Sequence, residues 1–252
     1  MKVKLSIKPL VIALSLFGAT AALADITIGV SVSATGPAAV LGGPQKNTTQ
    51  LFPTTIAGEK INWIVLDDAS DPTNTAKNVA KFLSESKVDL LMTGTTTPGV
   101  MAAAGPAADS KTPLIALAPN RLDGEKFKWT FTMPQPIGLM AEPLLDHAKS
   151  KGYKTIAFLG YHPDAYGEVW IKAMEALSPK YGVTFGPIEG FARTDTSVTG
   201  QALKVVAAKP DAVFVGGSGT PAALPQSTLR ERGYKGPIYQ SHAVANRDFL
   251  RV

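Results

Sequence analysis

Apolar runs of strand length alternate with stretches of helical period along most of this chain. Runs at 26–30, 61–66, 90–92, 114–117, 129–132, 156–159, 183–188, 213–215 and 238–240 read as strands. Several, such as Ile156-Ala157-Phe158-Leu159, are apolar at every position rather than at every second one. A strand buried on both faces has that pattern. Between the runs, Ala76, Val79, Ala80 and Leu83 repeat at the i, i+3, i+4, i+7 spacing of one helix face, with Lys77 and Lys81 on the other. Asp71-Pro72-Thr73 places a capping carboxylate and a first-turn proline ahead of them. Further helices are expected over 139–149, 166–177, 198–207 and 222–232, and one after Thr97.

Repeated βα units of this kind imply an α/β protein with open, mostly parallel sheets and helices on both faces. Met133-Pro134-Gln135-Pro136 interrupts the pattern near the middle. Two prolines in four residues fix φ and remove two donors, which suits a stiff crossover. The expected organisation is therefore a first lobe over 25–134, a hinge crossover over 135–138 and a second lobe over 139–252.

The first 24 residues stand apart. Lys2, Lys4 and Lys8 precede an apolar stretch over 9–17, and Ala22-Leu23-Ala24 follows as a small-x-small cleavage site. This predicts a signal peptide over 1–24, removed to leave a chain that starts at Asp25 outside the cytoplasm. Without those three lysines, 22 basic residues face 20 acidic ones, so most of the formal +5 belongs to the signal. A near-neutral surface gives no electrostatic case for nucleic acid or anionic membrane. There is no cysteine, hence no disulfide, thiolate metal site or Cys nucleophile.

Ligands of open α/β sheets bind beyond the carboxyl ends of the strands. Four such ends carry small or polar residues here. Thr93-Gly94-Thr95-Thr96-Thr97-Pro98-Gly99 combines hydroxyls, a close-approach glycine and a helix start, which suits a small anion, although Thr97 could equally serve only as a helix cap. Ala118-Pro119-Asn120 is the second end, Gly160-Tyr161-His162 with Tyr166-Gly167 the third, and Gly216-Gly217-Ser218-Gly219-Thr220 the fourth. Ser218 sits where a nucleophile elbow would place it, but the fifth position is Thr220, and His242 and Glu231 are poor triad partners. His147, His162 and His242 are scattered, so no metal site is expected. Asp67-Asp68 reads as a turn former, since adjacent carboxylates on a strand point to opposite faces. No phosphate or dinucleotide loop occurs, and no cofactor is expected. Nothing here argues for an enzyme.

In order and spacing these landmarks resemble the type I periplasmic solute-binding proteins of ABC importers, in the leucine/isoleucine/valine-binding family. The resemblance rests on 26–29 followed by Thr35-Gly36-Pro37, on Asp67-Asp68-Ala69-Ser70-Asp71-Pro72, on 95–98, on Tyr166-Gly167-Glu168 and on Val244-Ala245-Asn246. It implies a monomer in the periplasm whose two lobes close on a small carboxylate and deliver it to a permease of the inner membrane. It carries the carboxylate grip to Thr97, with Thr96 beside it, the partner turn to Ala118 and Asn120, and the aromatic of the second lobe to Tyr166. Leu41 and Ser218 stand where the branched-chain amino-acid binders have aromatics, and His242 where they have the acid that pairs with the ligand's ammonium. A buried ammonium without a carboxylate partner is costly. The expected ligand therefore keeps a carboxylate without needing an α-amino group: an aromatic or aliphatic acid as readily as an amino acid. The family pattern continues for roughly another third beyond Val252. That gap raises two further expectations, a first lobe with apolar surface left uncovered and a shortened chain without activity. A sensor of the same fold is the remaining alternative.

Overall fold

The computed structural model describes residues 25–251, and the segment read as a signal peptide lies outside them. Two sheets result. The first holds β1 (Ile26–Val32), β2 (Thr55–Ile56), β3 (Glu59–Asp67), β4 (Leu90–Thr93), β5 (Leu114–Ala116) and β6 (Thr130–Thr132), in the order β2-β3-β1-β4-β5-β6. All pairs are parallel except β2 with β3. The second holds β7 (Thr155–Tyr161), β8 (Thr184–Phe191), β9 (Ala212–Gly216) and β10 (Ile238–Gln240), in the all-parallel order β10-β9-β7-β8.

In the first sheet the helices are α1 (Ala39–Thr49), α2 (Pro72–Ser84) and α3 (Thr97–Ser110). The crossover from β1 to β3 runs across the sheet in one direction and those from β3 to β4 and β4 to β5 in the other, so right-handed connections put α1 on one face and α2 and α3 on the other. The α2–α3 face is well packed: Val79, Phe82, Ala103, Ala104 and Ala107 bury Leu91 and Leu114. The α1 face is thinner. Trp63, Val65, Leu90 and Met92 are only half-buried against Val30 and Val32, and Phe52 covers Trp63 with ring centroids 4.6 Å apart. The second sheet carries α4 (Ile137–Ser150), α5 (Ala165–Leu177), α6 (Thr199–Ala207) and α7 (Ala223–Glu231) around one continuous core, with Trp170, Tyr161, Phe158 and Phe214 its largest fully buried side chains.

Two elements are not legible from the pattern. α1 contains Gly42, Gly43 and Pro44, whose propensities argue against a helix. β2 is a two-residue hairpin arm. β8 also runs three residues beyond the expected strand, to Phe191. Asp71 caps α2 as expected, its carboxylate accepting from the Thr73 N–H at 2.7 Å. Asp67 and Asp68 do form a turn. Asp68 is buried and accepts from the hydroxyl of Ser33 (2.7 Å) and from the Ser70 N–H (3.0 Å), while Asp67 accepts from the Thr35 hydroxyl (2.7 Å).

Among the described residues the chain passes from the first sheet to the second once, between Thr132 and Ile137. In each sheet the strand order reverses at the first strand, β1 or β7, and a crevice opens there at the carboxyl ends.

Candidate ligand-binding cleft

The carboxyl ends of both sheets face a shared cavity of about 410 Å³. From the first sheet come Leu41 and Gln45 of α1, Thr95 to Thr97 after β4, Leu117 to Pro119 after β5 and Met133 to Gln135 after β6. From the second come Tyr166 at the start of α5, Arg193 after β8, Ser218 after β9 and His242 with Ala243 after β10.

Seven of the eight residues singled out in the sequence meet here: Leu41, Thr96, Thr97, Ala118, Tyr166, Ser218 and His242. Asn120 does not. It lines a neighbouring depression and holds its own loop instead, Nδ2 donating to the Ala118 carbonyl (3.2 Å) and Thr132 Oγ1 (2.8 Å) while Oδ1 accepts from the Leu122 N–H (3.1 Å).

Gly94 makes the turn after β4 possible. Its φ of +87° is open to glycine, and a side chain would collide with Val100. The turn delivers Thr96 as the cap of α3, Oγ1 accepting from the Gly99 N–H at 3.3 Å. The cap is thus one residue earlier than Thr97. Thr97 is buried and donates its hydroxyl proton to the Pro119 carbonyl at 2.7 Å. Pro98 has no N–H, Gly99 N–H bonds Thr96 Oγ1 and Val100 N–H bonds the Thr96 carbonyl at 3.1 Å, so among the described residues Thr97 N–H is left as a free first-turn donor of α3. Thr95 is tied between strands and helix: it accepts from the Ser33 N–H (2.9 Å) and donates to Gln45 Oε1 (2.6 Å).

On the opposite wall, Gly167 lets α5 start against the Tyr161 carbonyl, where a Cβ has no room. Tyr166 donates to Ser241 Oγ at 2.9 Å, and Ser241 donates to the Gly217 carbonyl at 2.5 Å. The chain of donors leaves the Tyr166 oxygen as an acceptor. Burial pushes its pKa up to about 12, so it stays a neutral phenol. His242 lies beside the Tyr166 and Trp170 rings, centroids 6.5 and 6.2 Å away, and burial lowers its pKa and favours the neutral imidazole.

Arg193 escaped the sequence reading. Its guanidinium forms a two-bond fork with Asp164, Nε to Oδ2 at 3.0 Å and Nη2 to Oδ1 at 3.1 Å. Nη1 donates to Ser218 Oγ at 2.9 Å, and the carbon of the guanidinium lies 4.2 Å from the Tyr161 ring centre. Ser218 is therefore bonded to a group that cannot take up a proton, so nothing at that contact activates it as a nucleophile. Gly186, Pro187 and Gly190 break the strand pattern before Arg193, which hid the strand end that carries it. Gln45 was missed with α1.

Among the described residues, those lining the cleft thus include one cation, a neutral histidine, several hydroxyl groups and no carboxylate. No group of three or more His, Asp or Glu side chains suited to a metal occurs among the described residues. The sequence model of the periplasmic binding protein family matches residues 25–249.

This chain belongs to the periplasmic binding protein family.

This binding protein has the two-lobed type I fold of its solved relatives, and one relative carries a leucine/isoleucine/valine-binding name. It is 25% identical to a Leu/Ile/Val-binding protein homologue of Brucella melitensis, over 93% of this chain and 66% of that protein. A solved chain from Rhodopseudomonas palustris strain CGA009 is 46% identical, with a TM-score of 0.88, over 91% of this chain and 64% of that one. An extracellular ligand-binding receptor from R. palustris HaA2 is 46% identical, with a TM-score of 0.87, over 90% and 64%. The binding protein therefore spans about two thirds of the length of these relatives. The family consists of solute-binding proteins rather than enzymes.

Proposed function

We propose that this binding protein is the substrate-capturing component of an ABC importer, and that it takes up a small carboxylate between its two lobes. The lobes are 25–134 and 139–252, and 135–138 is the hinge. The protein works as a periplasmic monomer, exported by a cleaved signal over 1–24, and hands its ligand to an inner-membrane permease.

One observation carries the ligand class: among the described residues, the cleft wall holds a guanidinium and no acid. The nearby carboxylate, Asp164, is engaged by Arg193. An amino acid's ammonium would enter without a charged partner, and burying such a charge is costly. A neutral His242 is no substitute for an acid. The ligand is an aromatic or aliphatic acid, with apolar contacts from Leu41, Leu117, Ala118 and Met133 for its tail.

A thermal-shift and calorimetric screen of the purified protein tests this. Free carboxylic acids are expected to raise Tm, because a ligand bound only by the native state stabilises by mass action. Leucine and valine are expected to bind more weakly than acids of the same carbon skeleton without the amino group. Tight binding of leucine or valine with no response to simple acids would defeat the reading.

A further inference from the structure

Arg193 has five N–H donors, and three are engaged: two by Asp164 and one by Ser218. One N–H remains on each terminal nitrogen. Two donors on neighbouring nitrogens match the two oxygens of one carboxylate. The side chain lines the cavity, while its partner Asp164 does not, so the cleft meets the positive group and not its counter-ion.

The guanidinium is also fixed in advance. The fork to Asp164 sets its direction and the Tyr161 ring sets its plane. Asp164 is anchored in turn as the cap of α5, Oδ1 accepting from the Tyr166 N–H at 2.8 Å. A cation held this way loses little side-chain freedom when an anion arrives. Ser218 Oγ accepts from Arg193, so its own proton is available to the same anion.

The first lobe offers less. The Thr97 hydroxyl has given its proton to Pro119, which leaves the Thr96 hydroxyl, the Thr97 N–H and the partial charge of one helix end. We infer that the ligand's carboxylate is held by Arg193 and Ser218 of the second lobe, with Asp164 as the positioning residue, and that the start of α3 meets the ligand's other end. This rests on the carboxylate reading above and reverses the polarity that the family resemblance implies, in which Thr97 grips the carboxylate.

The test compares the best-binding acid from a panel of benzoates and C4–C8 aliphatic acids with its own primary amide, by calorimetry. In the unaltered protein the acid is expected to bind about 100-fold tighter than the amide, the scale of hydrogen bonds to a charged group. In the charge-neutral double variant Asp164→Asn/Arg193→Gln that ratio is expected to fall below about fivefold. In Arg193→Lys, which keeps the charge and loses the fork, about tenfold should remain. In Thr96→Val both ligands should weaken together and the ratio persist. A ratio that survives in the Arg193 variants and collapses in Thr96→Val overturns the inference and puts the anchor on α3. Should the double variant lack a cooperative melt, Arg193→Lys against Thr96→Val makes the same comparison, and an unchanged ratio in Arg193→Lys overturns the fork. If no acid stabilises the unaltered protein, the carboxylate reading itself fails, and the inference with it.

Discussion

His242 sits beside two aromatic rings, and burial lowers its pKa. The unfolded chain takes up its proton near the ordinary histidine pKa of about 6.5, and the folded protein does so only at lower pH. The unfolded state therefore binds more protons below about pH 6.5, and stability declines as pH falls from there through the folded pKa. Tm should drop between pH 7 and pH 5, and His242→Gln should flatten that part of the profile. Identical profiles for the two proteins would mean that His242 is not the group responsible. Asp211, which hydrogen bonds from Lys154 and Thr155 hold below the usual carboxylate range, contributes in a separate and more acidic window. Thr96 and Tyr166 were legible because strand ends in an α/β sheet are where a ligand must sit, whereas His242 was reached only through the family resemblance. Arg193 was not, because the glycines and proline of β8 obscured where that strand stops.

Elements with a chemical start signal were equally legible. Asp71 and Pro72 announce α2, and the cap forms at 2.7 Å. Asp71→Ala removes that acceptor and should cost about 1 kcal/mol of stability, measured by urea unfolding with an unchanged m-value. A loss of much less than this would mean that water replaces the cap. α1 shows the opposite case. Gly42, Gly43 and Pro44 carry no local preference for a helix, and its capping position has no side-chain bond. It exists because it lies over Val30 and Val32, a tertiary reason that no window of sequence displays. It brings Leu41 and Gln45 to the cleft, so two residues of one wall depended on an element that periodicity could not find.

At the scale of the whole molecule, the two lobes are unequally built. The second is one continuous apolar core, whereas the first divides into three smaller clusters with a half-buried face under α1. Heating should therefore give two transitions, the lower one belonging to β1–β6. Hydrogen exchange should be faster in β1 and β3 than in β7 and β9. A single transition with uniform protection would show that the lobes stabilise each other as one unit. The alternation of strands and helices revealed the architecture, but the order β3-β1-β4 and the facing of the two sheets come from crossover handedness and packing. Among the described residues, the passage at 133–136 has a temporal meaning too. All six strands of the first sheet lie ahead of it and all four of the second lie behind. As the polypeptide emerges with its amino end leading, every described strand of the first sheet can find its neighbours before any strand of the second has appeared.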